Sequence, residues 1–147
     1  LSLTGGCKTF REDADGYCRG EAVGVLVLKR LDDALQDNDN IISVIRGYAR
    51  NHSAEATSIT HPHAQTQERL YRSLLHKTGL EPHDIEYVEM HGTGTISGDS
   101  TELESIAKVL AEAGSRQKPL VVGAIKATVG HSEAVGFSWE TRALWKV

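Results

Sequence analysis

The chain has 147 residues, 24% of them charged and 39% apolar, with 16 Lys plus Arg against 20 Asp plus Glu and a formal net charge of −4. That balance is ordinary for a globular protein. It excludes a disordered tail, whose apolar content is lower, and a nucleic-acid binder that works through a strongly basic face.

No apolar run approaches the roughly 20 residues that a membrane helix needs, so no membrane span is expected. Two cysteines, Cys7 and Cys18, are too few for a disulfide framework and suit a reducing, cytoplasmic compartment. The chain opens on Leu1 without a signal peptide and ends abruptly, which predicts a piece of a longer polypeptide.

In chain order, residues 22–28 (AVGVLVL) form a short Val-rich run that reads as a strand buried on both faces. Residues 32–40 are acidic and polar and predict a loop with at most one helical turn. Residues 41–48 (IISVIRGY) read as a second strand, and 51–63 as a polar loop. From Ala64 the period changes: Ala64, Leu70, Tyr71, Leu74, Leu75 and Thr78 fall at helical spacing, and Gly79 is placed to end the helix.

Residues 85–90 (IEYVEM) predict the next strand and 91–98 a Gly/Thr loop. Asp99, three residues before Glu102, resembles a capping pair. Leu103, Ile106, Ala107 and Leu110 continue one apolar helical face. Residues 120–125 (LVVGAI) predict a further buried strand, and a last helix is expected after His131. Strands alternating with helices predict an α/β protein whose later strands share one sheet. Sites in such sheets lie just past the carboxyl ends of strands, where His91 and Lys126 fall.

Of seven histidines, His76 and His83 flank a helix end and need no role beyond solvation. His61 and His63, with Cys7 and Cys18, do not have zinc-site spacing, so no metal site is expected. His91 opens His91-Gly92-Thr93-Gly94-Thr95. His131 follows Lys126 by five residues and precedes Glu133 by two. Glycines allow close approach of a ligand and threonines offer hydroxyls, so two such motifs at strand exits predict an active site. The glycine loop lacks the Lys of a P-loop and the third Gly of a dinucleotide fingerprint, which argues against nucleotide binding.

These residues carry a resemblance. The stretch from Ala14 to Glu21, then Val25 to Leu31, then Ile45-Arg46-Gly47, resembles the β-ketoacyl synthase (ketosynthase) domain of polyketide synthases. So does Tyr87-Val88-Glu89-Met90-His91-Gly92-Thr93-Gly94-Thr95 with Gly98, Asp99 and Glu102, followed by Val122-Gly123, Lys126, Gly130-His131 and Glu133-Ala134. The wording at Asn51 to Glu55 and at Ile59 to His63 is similar to large iterative fungal synthases and leans toward the non-reducing type.

The resemblance implies a thiolase-like αβαβα sandwich, here mainly its C-terminal half: residues 1–40 would end the N-terminal half and 41–147 belong to the C-terminal half. It implies decarboxylative Claisen condensation of a malonyl unit on acyl carrier protein with an acyl thioester on a nucleophilic Cys. His91 and His131 would hydrogen-bond the developing enolate oxygen. Lys126 would hold the site's charge against Glu133, and Thr93 and Thr95 would bind the phosphopantetheine arm. Asp99 and Glu102 would build the loop and the helix cap rather than do chemistry.

No cofactor is implied in the domain itself beyond that arm. The implied partners are carrier and acyltransferase domains of the same polypeptide, with a homodimer in the intact enzyme. Neither Cys7 nor Cys18 matches the family's nucleophile, which lies upstream, so the isolated chain is expected to be inactive and poorly stable.

The chain departs from the family at Ala22 (usually Gly) and Thr128 (usually Asn). After Ala134, Val135-Gly136 comes early and Phe137, Trp139, Glu140, Arg142 and Trp145 replace small residues. Two other readings are a non-catalytic ketosynthase-like partner, disfavoured because all of His91, His131 and Lys126 are present, and an α/β hydrolase, disfavoured because no G-x-S-x-G elbow exists.

Overall fold

A computed structural model describes residues 1–52, 56, 62–111, 116–133 and the backbone of 145–146. Ser53, Ala54, Glu55, Ile59, Thr60 and His61 lie outside the described residues, as do the helix expected beyond Glu133 and the departures at Val135, Gly136, Phe137, Trp139, Glu140 and Arg142.

The first element is a short helix, α1 (Leu31–Gln36), opened by Asp32 and Asp33 in its first turn, where carboxylates favour the positive end of the helix dipole. Strand β1 (Val44–Ile45) pairs antiparallel with β4 (Trp145–Lys146), Val44 opposite Lys146. The 15-residue helix α2 (Ala64–Thr78) matches its predicted bounds and stops at Gly79, which sits at φ 65°, a conformation that costs glycine little. The amide of Leu80 then caps the carbonyl of Leu75 at 3.2 Å.

A 3₁₀ turn (Pro82–Asp84) leads into β2 (Tyr87–Glu89). Helix α3 (Ile96–Ile106) follows and ends in a π turn (Ala107–Ala111), where the sequence pattern predicts unbroken α-helix. Strand β3 (Val121–Gly123) pairs parallel with β2, Tyr87 against Val121 and Glu89 against Gly123. The four-residue helix α4 (Lys126–Val129) closes the unit.

The core lies between this parallel pair and the helices. Ile85, Val88 and Met90 from the β2 segment meet Ile106, Val109 and Leu110 from α3 and its π turn, with Tyr71 and Leu75 of α2 packed on them. Each such side chain contributes about 1.5–3 kcal/mol through burial. Arg116 fastens the back of the unit: its guanidinium donates to the carbonyls of Pro82 at 2.6 Å, Leu110 at 3.1 Å and Ile85 at 2.5 Å.

Three expectations fail here. Among the described residues the later strands form two separate pairs, β1–β4 and β2–β3, rather than one sheet. Residues 22–28 pair with no described strand, and Val23, Val25 and Val27 are 96%, 85% and 95% exposed. A strand apolar on both faces needs cover on both, and no described residue supplies it. The Asp99–Glu102 capping pair is also not formed. The helix starts earlier, with Thr95 at the N-cap, so both carboxylates fall inside it and turn back toward the glycine loop. No described helix is long and apolar enough to cross a membrane.

Candidate active site

The parallel register of β2 and β3 brings their exits side by side. Past Glu89, the Met90 amide still donates to the Gly123 carbonyl at 2.8 Å, and Met90 is wholly buried, so His91 is the first residue free to turn outward. Gly92 and Gly94 follow at φ 43° and 82°. A Cβ at Gly92 would stand 2.6 Å from the Ala124 Cβ, and one at Gly94 would stand 2.6 Å from the Lys8 nitrogen. Only glycine fits either position, because the N-terminal segment lies directly against this loop. Thr9 Oγ1 donates to the Gly92 carbonyl at 2.5 Å and the Gly16 amide to the Gly94 carbonyl at 3.1 Å.

Helix α3 holds the loop from the other side. The Glu102 carboxylate accepts the amide of His91 at 2.7 Å and that of Gly92 at 3.1 Å, and Asp99 Oδ1 accepts the Gly94 amide at 3.2 Å. These are charge-assisted bonds to backbone N–H groups, the strong kind. Asp99 is buried, as is Thr93, whereas Thr95 is half-buried at the helix start.

His131 arrives from the β3 side. Lys126, 2% exposed, opens α4, and Gly130 at φ 77° turns the chain out of it. The His131 amide donates to the Cys18 carbonyl at 2.8 Å and its carbonyl accepts the Gly20 amide at 3.0 Å, so residues 18–20 hold it as a parallel bridge. The His91 and His131 rings then meet edge to face, centroids 5.3 Å apart at 87°, and Tyr17 stands edge-on to His131 at 5.4 Å. His131 Nδ1 accepts the Glu133 amide at 3.3 Å.

The expected pairing of Lys126 with Glu133 is not the one found. Glu133 faces Arg19, with Nη2 3.3 Å from its carboxylate, on the exposed side of the bridge. The resemblance implied the Lys126–Glu133 pairing; in the structure α4 buries the lysine, and Glu133 follows the turn at Gly130.

Sequence reasoning missed Glu89. It is 9% exposed, accepts the Ile125 amide at 2.6 Å and takes the Tyr87 hydroxyl on its other oxygen. It thereby ties the strand that delivers His91 to the residue before Lys126. The period of two, which places Tyr87 and Glu89 on one face, was the available signal. Burial, together with the hydrogen bond to Glu89, pushes the Tyr87 hydroxyl up to about 12.

Cys7 is buried and used structurally: its sulfur accepts the Cys18 amide at 3.2 Å and its thiol faces the Cys18 carbonyl at 3.4 Å. The two cysteines are unbridged. Among the described residues no group of three or more His, Cys, Asp or Glu could hold a metal.

The family model described as Beta-ketoacyl synthase, C-terminal domain, matches residues 42–138, and that described as Beta-ketoacyl synthase, N-terminal domain, matches residues 1–34. The chain belongs to the β-ketoacyl synthase family. Among its ketosynthase relatives, the non-reducing polyketide synthases ntnG of Nectria sp and atnG of Arthrinium sp are each 74% identical over 134 residues, which is 91% of this chain and 7% of either protein.

Among solved structures, the ketosynthase from module 6 of the bacillaene synthase of Bacillus subtilis superposes with a TM-score of 0.88 at 40% identity, over 98% of this chain and 26% of that one. The fold is therefore thiolase-like, and the chain spans about a quarter of a solved ketosynthase.

Proposed function

We propose that the full-length protein carrying this ketosynthase chain performs decarboxylative chain extension, an acyl transfer, as a non-reducing polyketide synthase. The observation that carries the reading is the edge-to-face pair His91–His131 at the two strand exits. A malonyl thioester on the pantetheine arm of a carrier protein loses CO₂ and leaves an enolate. Its α-carbon attacks the acyl thioester held on a nucleophilic Cys outside this sequence, forming the C–C bond and releasing the thiolate. Negative charge collects on the enolate oxygen, where His91 and His131 donate hydrogen bonds as neutral imidazoles. Preorganised donors of this kind are worth about 10²–10³ in rate each.

Support for His131 as donor comes from its ring standing edge to face with that of His91 where the two strand exits meet. Buried Lys126 supplies positive potential beneath the site. Thr93 and Thr95 would hold the arm, and Asp99, Glu102 and Glu133 fix the surrounding backbone.

Matches at residues 1–34 and 42–138 favour a boundary near residue 40 between the two halves of the domain. The proposed partners are carrier and acyltransferase domains of the same polypeptide and a second copy in a homodimer, in the cytoplasm. In the full-length protein, His91→Ala and His131→Ala should each abolish extension while acyl loading of the Cys persists, read by radiolabelled acyl transfer and product analysis. Loss of loading in both variants would refute the assignment, and unchanged extension would favour a non-catalytic role for this chain.

A further inference from the structure

Residues 16–20 touch both strand exits at once. The Gly16 amide donates to the Gly94 carbonyl at 3.1 Å, in the loop that His91 opens. On the other side the Cys18 carbonyl accepts the His131 amide at 2.8 Å, and the Gly20 amide donates to the His131 carbonyl at 3.0 Å. Tyr17 lies between these attachments. Its own carbonyl accepts the Ser2 amide at 2.7 Å, and the Cys18 amide donates to the sulfur of buried Cys7 at 3.2 Å. Partners distant in the chain thus fix the backbone on either side of Tyr17, and a fixed backbone restricts the rotamers its side chain can take.

The Tyr17 ring meets the His131 ring with centroids 5.4 Å apart at 72°, and His131 meets His91 at 5.3 Å and 87°. His131 is the ring that both others touch. An imidazole turns about its last side-chain torsion in a broad well, so the backbone of His131 alone does not settle where its nitrogens point. A neighbouring ring set nearly perpendicular to it narrows that range. An edge-to-face pair of this kind weights one orientation by a factor of about 2 to 12 beyond the burial of its area. A donor aimed at a developing oxyanion is sensitive to such aim, and a misplacement of about 1 Å can cost about 10²-fold in rate.

We propose that Tyr17 is a positioning residue for the condensation: its ring holds the His131 imidazole at the angle from which it donates to the enolate oxygen. The inference rests on the reading of His131 as an enolate donor, and Tyr17 acts through that imidazole rather than on the substrate. The contact is made by the ring, so the hydroxyl is dispensable and an aliphatic side chain of similar bulk is not a substitute. Acyl loading of the Cys does not use the enolate donors, so it separates loss of aim from loss of fold.

Single-turnover extension by the full-length protein, with the Cys and the carrier arm already loaded, tests it. Tyr17→Leu should slow extension about tenfold while acyl loading of the Cys stays at the wild-type level, and Tyr17→Phe should extend within about twofold of wild type. Extension by Tyr17→Leu at the wild-type rate, or a Tyr17→Phe variant as slow as Tyr17→Leu, overturns the proposal. Should Tyr17→Leu lose loading, Tyr17→Met, unbranched and without a ring, takes its place. Loss of loading in both overturns the proposal, because the ring then serves the folding of the domain. His131→Ala run alongside separates the two layers. Undiminished extension in His131→Ala removes the donor reading and this role with it; extension abolished there but normal in Tyr17→Leu removes the role of Tyr17 alone.

Discussion

At the residue scale, the site depends on positions where one atom more or less changes the backbone. Gly92 and Gly94 leave no room for a Cβ, so Gly92→Ala and Gly94→Ala must push the N-terminal segment off the loop as well as strain φ, at about 1–3 kcal/mol each. Hydrogen exchange at residues 91–95 of the full-length protein should speed up in both variants, and protection equal to wild type would show that the loop accommodates the methyl.

Glu89 is the second such position. Glu89→Ala leaves the Ile125 amide without its acceptor, a loss of about 1–3 kcal/mol for a buried donor, whereas Glu89→Gln keeps an acceptor oxygen. Glu89→Ala should therefore impair extension more than Glu89→Gln, and equal activity of the two would remove Glu89 from the support of the site.

Asp15 supplies the pH dependence. Hydrogen bonding from Ser2 first, then from Thr4 and Lys8, outweighs desolvation and holds its carboxyl down at about 2. A depressed carboxyl stabilises the folded loop above its unfolded value of about 3.9, and that contribution disappears as pH falls through the folded value. Pepsin nicking within residues 2–16 should rise between about pH 4 and pH 2. In Asp15→Asn it should already be high at the upper end of that window.

At the element scale, what the sequence period shows and what it misses divide cleanly. Helix α2 is legible because Leu70, Tyr71, Leu74 and Leu75 repeat at helical spacing and Gly79 stops it. The β2 and β3 segments are legible as short apolar runs, although each pairs over only three residues. The π turn at Ala107–Ala111 is not legible, because its side chains keep an apolar face that suits an α-helix equally well.

Its geometry is tied to Arg116, which fills carbonyls from three separate segments. Arg116→Met should leave those partly buried acceptors unsatisfied, at a cost of about 1–2 kcal/mol, with faster exchange at Ala107–Ala111. Unchanged exchange there would mean that water replaces the guanidinium without loss.

At the scale of the whole molecule, the described residues gather a core between β2 and the helices and leave an apolar segment in solvent. Residues 22–28 display Val23, Val25 and Val27 to solvent, with Leu26 and Leu28 also exposed on the other face. An apolar segment bare to solvent favours association over folding. The isolated chain should bind a hydrophobic dye and melt without a cooperative transition, by calorimetry and light scattering. A monodisperse preparation with a sharp transition would show that the β2–α3–β3 unit suffices.

The sequence by itself determined the α/β class, the extent of α2, the glycine loop and the two motifs that carry His91 and His131. Each of these is written in local period, in turn chemistry or in a motif of adjacent residues. Only the tertiary structure decided that Glu133 faces Arg19 and which amides Asp99 and Glu102 take, with the helix cap left to Thr95. It also decided that Glu89 joins the two strand exits and that 22–28 pairs with no described strand. These contacts cross from 5 residues to 114 along the chain, from Gly94–Asp99 to Arg19–Glu133. Sequence spacing states which face a side chain takes, but the partner on that face is set by how distant segments pack.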